Sequence, residues 1–517
     1  MKYTGKITAV LMAGLIGLSA LSCPETAYAA EAWEKDNGTY RMADGTAIAN
    51  AIARGIDVSH WQQEVDWQQV AADDISFVML GTRYKGETDP RFRSNAEAAH
   101  RQGIKLGAYI YSYATSVEMA EEEADFILDL IKDYPISYPV AFDAEDAGTL
   151  GTLSPSQVSD VINAFCRKIE AAGYHPMVYS NEYWMKNKID TSKINYDVWI
   201  ARYNVMHTYQ NPVMWQATST GSVNGISTNV DIDFLYKDFS SVIPENTWRT
   251  IGGKTYYYKD YLMQKSAWID DGKGWYYMDS EGAPSKGWKE FPDGKYYLDE
   301  TTGKMATGWK ELDGSRYYFK ESGRMATGWR EVDGLWYYMG SDGKMLTGWQ
   351  KADGEQYYME SSGKMTVGWQ SIGGQWYYFK ESGAMVTGWR EVGGAWYYMD
   401  SQGRMVTGWQ KLDGVWYYMN GQGRMLTGWQ DINGTLYYLS ENGAMAANTE
   451  LEYNGEKYYA GDSGACVKVE EEKQTQEGEV TPPSEDNQSQ ENESSSGNET
   501  IQEENLSSGS VGPGVGL

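Results

Sequence analysis

The chain has 517 residues, room for at least two domains with full cores, and it carries 41 Tyr, 21 Trp and 57 Gly against 10 Phe. Tyr and Trp join an apolar ring to a polar handle, so the surplus points to sugar stacking or cation caging as well as packing. A formal net charge of −28, spread along the chain, argues against nucleic acid and anionic membrane surfaces as partners.

The N-terminus reads as a secretory signal over residues 1–30. Lys2 and Lys6 form its positive start. Ile7 to Leu21 is apolar but too short for a comfortable membrane span. Ala27-Tyr28-Ala29 is the cleavage pattern. Cys23 leaves lipoprotein processing as an alternative, although Ala20 stands where that pattern expects Leu. The expectation is a secreted, wall-associated protein with no membrane span after cleavage. Only Cys166 and Cys466 then remain, in different segments, so neither a disulfide framework nor a Cys-rich metal site is available. Four His and no H-E-x-x-H argue against a catalytic zinc, and no metal or cofactor is called for.

Residues 31–53 are polar and patternless and read as a linker. From 54 to 240 strand-like and helix-like segments alternate. Val78-Met79-Leu80, Leu106 to Tyr111, Pro139 to Phe142, Met177-Val178-Tyr179 and Val198-Trp199-Ile200 are short buried strands. Val117–Lys132 and Ser156–Ala172 have helical periodicity, the second with Ser154 as its cap. Such alternation predicts an α/β fold with a parallel sheet closed as a barrel. The segment is short for a (β/α)8 barrel, which takes about 250 residues, so a modified barrel is expected. Residues 467–517, rich in Glu, Ser, Gln and Asn, cannot bury enough apolar area to fold and are expected to be a disordered acidic tail.

Between them, residues 241–466 repeat. Trp248, Trp268 and Trp288 are followed, after one inserted residue near Thr301-Thr302, by Trp309, Trp329, Trp349, Trp369, Trp389, Trp409 and Trp429 at a strict spacing of 20. Met305 to Met445 and the Tyr-Tyr pairs from Tyr317-Tyr318 to Tyr437-Tyr438 keep that period. Each unit has two strand stretches with glycine turns, hence one hairpin. A lone hairpin is marginal in water, so stacking into an all-β solenoid is predicted, with worn units at both ends. Alternation puts Trp336 with Tyr338 on one face and Tyr337 with Met339 on the other.

These units resemble the choline-binding, or cell-wall-binding, repeats of Gram-positive surface proteins. The resemblance implies aromatic boxes made by two Trp of one hairpin and a Tyr of the next, holding a quaternary ammonium by cation–π attraction. It assigns the pairs Trp329 with Trp336, Trp369 with Trp376, Trp389 with Trp396, and Trp409 with Trp416. The Tyr is expected to be the second of each pair: Tyr358, Tyr398, Tyr418 and Tyr438. Lys295, Arg316, Gln356 and Leu436 replace the second Trp elsewhere, and a cation there would repel choline. Closely similar repeats bind glucans, so the partner stays open between choline-bearing teichoic acid and another wall polysaccharide. The paired units cluster between Trp369 and Trp416, with Trp329 apart, and by avidity that block should supply most of the hold.

The front domain has acids directly after apolar strand stretches: Asp57 in Gly55-Ile56-Asp57-Val58-Ser59-His60, Asp143 and Glu145 in Phe142-Asp143-Ala144-Glu145, and Asp231 in Val230-Asp231-Ile232-Asp233. The C-terminal strand ends of α/β barrels carry active sites. Two positions apart on a strand, Asp143 and Glu145 face the same way, about 6.5–7 Å apart. Two convergent carboxylates are the minimum for glycosidic cleavage, one as acid and one ionised beside the developing positive charge.

Taken with Leu106-Gly107-Ala108-Tyr109, Trp199-Ile200-Ala201-Arg202-Tyr203 and Met214-Trp215-Gln216, these motifs resemble glycoside hydrolase family 25. Those are N-acetylmuramidases that cut the MurNAc–GlcNAc β-1,4 bond of peptidoglycan on a modified β/α barrel. The resemblance covers 54–240 and implies Glu145 as general acid/base, Asp143 as support for the reacting sugar, Asp57 and Asp231 as the rest of an acidic floor, and Tyr109, Tyr179 and Trp215 as sugar platforms. The stretch Gly81 to Asp89 departs from the family's Lys-x-Thr-Glu-Gly pattern. His60 is expected to be a structural hydrogen-bonder, Cys166 a buried small hydrophobe, and Asp233 structural. The expected function is peptidoglycan hydrolysis by a wall-anchored enzyme. The alternative is an inactive wall- or glucan-binding adhesin. An amidase or endopeptidase would need zinc or a Cys–His pair.

Overall fold

The computed structural model describes residues 33–470; the expected signal and all but the start of the expected tail lie outside the described residues. Two compact units result. One runs to Lys289 and takes in Tyr297–Met305; the other comprises Glu290–Tyr296 and the chain from Ala306.

The first unit is built on eight strands: β1 (Ala53–Val58), β2 (Phe77–Gly81), β3 (Lys105–Tyr111), β4 (Ile136–Asp143), β5 (Pro176–Asn181), β6 (Asp197–Ala201), β7 (Met214–Gly221) and β8 (Val230–Leu235). They close in chain order as a barrel. Neighbours from β1 to β7 are parallel, and β8 runs antiparallel between β7 and β1. Helices α1 (Trp67–Ala72), α2 (Phe92–Arg101), α3 (Val117–Ile131), α4 (Pro155–Ala171) and α5 (Glu182–Asn187) follow the first five strands. Among the described residues no helix follows β6 or β7. An antiparallel return needs only a short connection, which is how a short chain closes the barrel. Ser154 caps α4 through a capping box with Gln157, and Pro155 opens the helix.

Alternation along the strands sorts two apolar layers. Phe77, Met79, Met177, Trp199 and Met214 fill the barrel, while Val78, Leu80, Val178, Ile200 and Phe234 face the outer layer. Glycine makes room for the larger interior side chains. A Cβ on Gly55 would sit 2.4 Å from the Phe77 ring, and one on Gly107 2.3 Å from Met79 Sδ.

Two expectations about the edges of this domain need correction. Residues 33–52 are not a free linker: Trp33, Tyr40, Met42 and Ile48 are buried in the outer layer. Trp33 packs edge-on against Trp215 at 6.3 Å, and Tyr40 lies 5.2 Å from Phe234. At the other end, the hairpin Thr247–Ile251/Lys254–Lys259 belongs to the barrel unit. Tyr258 is fully buried and its hydroxyl donates to the Lys132 carbonyl at 2.8 Å. The buried Arg249 guanidinium lies 4.0 Å over Tyr174 and 4.4 Å over Tyr258.

The second unit is a succession of hairpins, from Gly308–Leu312/Ser315–Phe319 to Gly428–Ile432/Thr435–Leu439, ended by the three-stranded Thr449–Tyr453, Glu456–Ala460 and Cys466–Lys468. Their turns take two positive-φ residues, such as Asp333 and Gly334, as tight hairpins require. Between hairpins the Met strand bonds back: Met365, Met405 and Met425 donate their N–H groups to the carbonyls of Trp336, Trp376 and Trp396, each at 2.8 Å. Met339, Met359, Met399 and Met419 are fully buried. The predicted barrel followed by a hairpin solenoid is the observed fold.

Candidate active site and aromatic boxes

Alternation points Asp57, Asp143 and Asp231 into the barrel, and Glu145 follows two residues after Asp143, just past the end of β4. Because β8 is reversed, Asp231 at its start lies opposite Asp57 at the end of β1. All four acids line one cavity of about 380 Å³. Asp143 is buried on its floor and Glu145 is half-buried nearer the mouth.

Burial, then the charges of Glu145 and Asp146, push Asp143 well above the usual carboxylate range. Burial also raises Glu145, with a hydrogen bond from the Asn181 side chain as a partial offset. Asn181 is fixed for this by capping α5, its Oδ1 accepting from Trp184 N at 3.0 Å. Asp231 is pushed up to about 6, chiefly by burial, with the Glu145 charge adding. Asp57 is held well above its ordinary range by burial and by the charges of Asp231 and Asp233, against the Gln216 amide that donates to it at 2.7 Å. Burial thus raises all four carboxyls of the cleft, which favours keeping a proton there for acid-assisted cleavage.

The platforms differ from expectation. Trp215 is fully buried in the outer layer, 5.9 Å from Phe234, with its indole N–H donating to the Arg202 carbonyl at 3.0 Å. Its neighbour Gln216 takes the inward place and lines the cavity. Tyr179 lines the cavity too, but its ring is covered, 4.5 Å from Trp199, and its hydroxyl donates to Gln216 Oε1 at 2.7 Å. It positions Gln216 and offers no open ring face. Tyr109 is half-buried in the wall, its hydroxyl fitting over Gly81, where a Cβ would stand 3.0 Å away. The open rings are Trp61, Tyr113 and Tyr203 at the rim. Trp61 directly follows the Gly55–His60 motif and Tyr203 ends the Trp199–Tyr203 motif; Tyr113, just past β3, had no sequence signal.

The departing stretch after β2 forms a small hairpin, Arg83–Tyr84/Glu87–Thr88, turned on Lys85 and Gly86. Arg83 donates to the Tyr111 carbonyl at 2.7 Å and to Glu123 at 2.6 Å. His60 pairs with Asp89 at 2.8 Å, and its ring lies tilted against Tyr84 at 3.7 Å, a structural role. Asp233 is fully buried behind Asp231 and accepts the Trp199 indole N–H at 2.8 Å. Cys166 is fully buried, and burial pushes its thiol up.

In the second unit the four Trp pairs stand together. Trp329–Trp336, Trp369–Trp376, Trp389–Trp396 and Trp409–Trp416 have ring centroids 6.4, 6.4, 6.3 and 6.2 Å apart. The Tyr that completes each box is the first of the next pair, not the second. Tyr357, Tyr397, Tyr417 and Tyr437 lie 4.7, 4.8, 5.0 and 4.8 Å from Trp329, Trp369, Trp389 and Trp409. Tyr358, Tyr398, Tyr418 and Tyr438 are instead cross-strand partners of Trp349, Trp389, Trp409 and Trp429 in their own hairpins. The second Tyr shares a face with its own Trp, so only the first can reach back. The Trp389 box opens as a cavity of about 400 Å³ that Met425 and Glu441 also line.

Residues 56–226 match the family described as "Glycosyl hydrolases family 25". Six overlapping stretches between 306 and 470 match "Choline-binding repeat", and 266–283 match "Putative cell wall binding repeat". The chain joins a family 25 glycosyl hydrolase domain to choline-binding repeats. An uncharacterized protein of Escherichia coli O157:H7, YegX, is 28% identical over 207 residues, 38% of this chain and 74% of that one. The autolytic lysozyme of Clostridium acetobutylicum is 28% identical over 183 residues, 35% of this chain and 55% of that one. The solved structure of CbpJ from Streptococcus pneumoniae TIGR4 is 33% identical and covers 43% of this chain and 94% of its own, with a TM-score of 0.34. The front domain is a lysozyme-like glycoside hydrolase; Asp57, Asp143 and Glu145 lie within the matched residues 56–226, and Asp231 lies just beyond them on β8.

Proposed function

We propose that the protein is an exported, wall-associated hydrolase that cuts the MurNAc–GlcNAc β-1,4 bond of peptidoglycan and is held at the wall by its aromatic boxes. The observation that carries this reading is the convergence of Glu145, Asp143, Asp57 and Asp231 in one cleft at a single end of the barrel. Glu145, nearer the mouth, gives its proton to the glycosidic oxygen as the C1–O bond breaks. Asp143 Oδ1 is buried without a hydrogen-bond partner, so it suits the N–H of a 2-acetamido group and turns that group's carbonyl oxygen towards C1. This oxygen takes the place of the leaving group. Water, giving its proton to Glu145, then reopens the ring so formed, and configuration is retained. Asp57 and Asp231, where ionised, stabilise the positive charge at C1. In the boxes a quaternary ammonium such as choline meets two indole rings and a phenol.

Digestion of purified choline-bearing walls tests both halves. New reducing MurNAc ends should appear and should vanish in Glu145→Gln. Free choline should suppress digestion of the walls but not of soluble glycan fragments. Intact glycan strands with cleaved peptides would sink the proposal.

A further inference from the structure

The four paired boxes cannot be ranked by ring geometry, because their Trp–Trp and Trp–Tyr distances agree within a few tenths of an ångström. Their charges differ. Strand register sets the second Trp opposite Glu331, Ser371, Glu391 and Lys411 in turn, each on the face that carries both indoles. Lys411 holds its Nζ 5.7 Å over the Trp416 ring.

A second position varies in step with the first. Glu441 lines the Trp389 box. The same interval, 389 to 441, leads from Trp329 to Glu381, from Trp369 to Gly421 and from Trp409 to Gly461. In the Trp369 box Arg424 donates its Nε–H to the hydroxyl of Tyr397 at 3.2 Å; the equivalent residues of the Trp329 and Trp389 boxes are Ala384 and Ala444. One hairpin before the Trp329 box the site is filled from within. Arg316 stands where the second Trp would be, and its guanidinium lies 4.5 Å over Trp309, which is 4.8 Å from Tyr337.

We propose that the array carries two strong cation sites, Trp329/Trp336 and Trp389/Trp396, two weak ones, Trp369/Trp376 and Trp409/Trp416, and a fifth box closed by its own Arg316. This rests on the quaternary-ammonium reading of the boxes and names the residues that grade them. Such a ligand has no N–H to donate, so ring faces and the net local charge decide its affinity. A unit charge about 6 Å away in a water-like dielectric changes binding roughly threefold, and reversing that charge roughly tenfold. The grading moves the hold away from the Trp369–Trp416 block. The isolated Trp329 box becomes one of the two principal sites.

Calorimetric titration of the full chain with choline chloride at low ionic strength is the test. The unaltered chain should give two classes of site in equal number. K411E should tighten one weak site about tenfold, E391K should weaken one strong site by a similar factor, and R316W should add a fifth site. R316A, a smaller change at an exposed position, should add a weaker one. The grading, but not the boxes, should collapse in about 1 M salt, where exposed charges are screened. If choline binds but K411E and E391K leave the affinities unchanged, or R316W adds no site, the grading is overturned and the choline reading stands. No choline binding at all overturns both.

Discussion

Asp231 is the residue where activity and stability pull apart. Its carboxyl is raised from 3.8 to about 6, so the folded chain keeps this proton over a pH range where the unfolded chain has lost it. The stability linked to that proton is complete below the unfolded value and is lost as pH rises through the folded one. The rise corresponds to roughly 3 kcal/mol. Asp231→Asn should therefore melt above the unaltered protein at about pH 8 and with it at about pH 3, while hydrolysis is lost. Calorimetric melts at the two pH values check this; equal melting points at the higher pH would mean that the ionised carboxyl is not penalised. The acids themselves were legible in the sequence because an acid after an apolar run marks a strand end. The choice between Trp215 and Gln216 was not. Both faces of a barrel strand are buried, so polarity does not tell in from out, and only the parity of the neighbouring strands puts Gln216 inside. The face of each box Tyr was only half legible: alternation separates Tyr337 from Tyr338, but which of the two faces meets the previous hairpin is set by how the hairpins stack, and the expected second Tyr proved to be the wrong one.

At the scale of the elements, the glycine two residues before the repeated Met is explained, from Gly343 to Gly443, by close approach to the Met of the preceding unit. A Cβ on Gly383 would stand 2.2 Å from Met365 Sδ, and Gly363, Gly403 and Gly423 meet Met345, Met385 and Met405 in the same way. Gly394, in a hairpin turn, has a similar positive φ but open space around it. Both Ala variants carry the cost of a left-handed backbone, about 1–2 kcal/mol. Gly383→Ala adds the overpacking of the Met, about 1–3 kcal/mol more. Denaturant melts should therefore rank Gly383→Ala clearly below Gly394→Ala. Equal losses would mean that the Met side chain swings away freely and that the period of 20 is kept by the turn alone. The hairpins and helices could be read because each has its own local period. The docking of residues 33–52 could not: Trp33, Tyr40, Met42 and Ile48 are scattered among polar residues, and only the outer layer of the barrel gathers them. The hairpin at Thr247–Lys259 reads as a worn repeat for a related reason, since Arg249 and Tyr258 serve the barrel, not a box.

For the whole molecule, two electrostatic effects of different range oppose each other. On the proposed function, a formal charge of −28 repels anionic wall polymers at long range, whereas the boxes would hold a cationic head group at ring contact. Salt separates the two. The Debye length falls from about 30 Å at 0.01 M to about 8 Å at 0.15 M, so added salt first removes the repulsion while leaving cation–π contact nearly intact. Binding to isolated choline-bearing walls should therefore rise severalfold between those two ionic strengths, mainly through faster association, and then level off. Cosedimentation with walls across a salt series measures it. A steady fall of binding from the lowest salt upward would mean that basic surface patches, and not the aromatic boxes, make the first contact. With multivalent attachment the gain should appear mainly in the first engagement, because once one box is seated the others bind at the effective concentration set by the array.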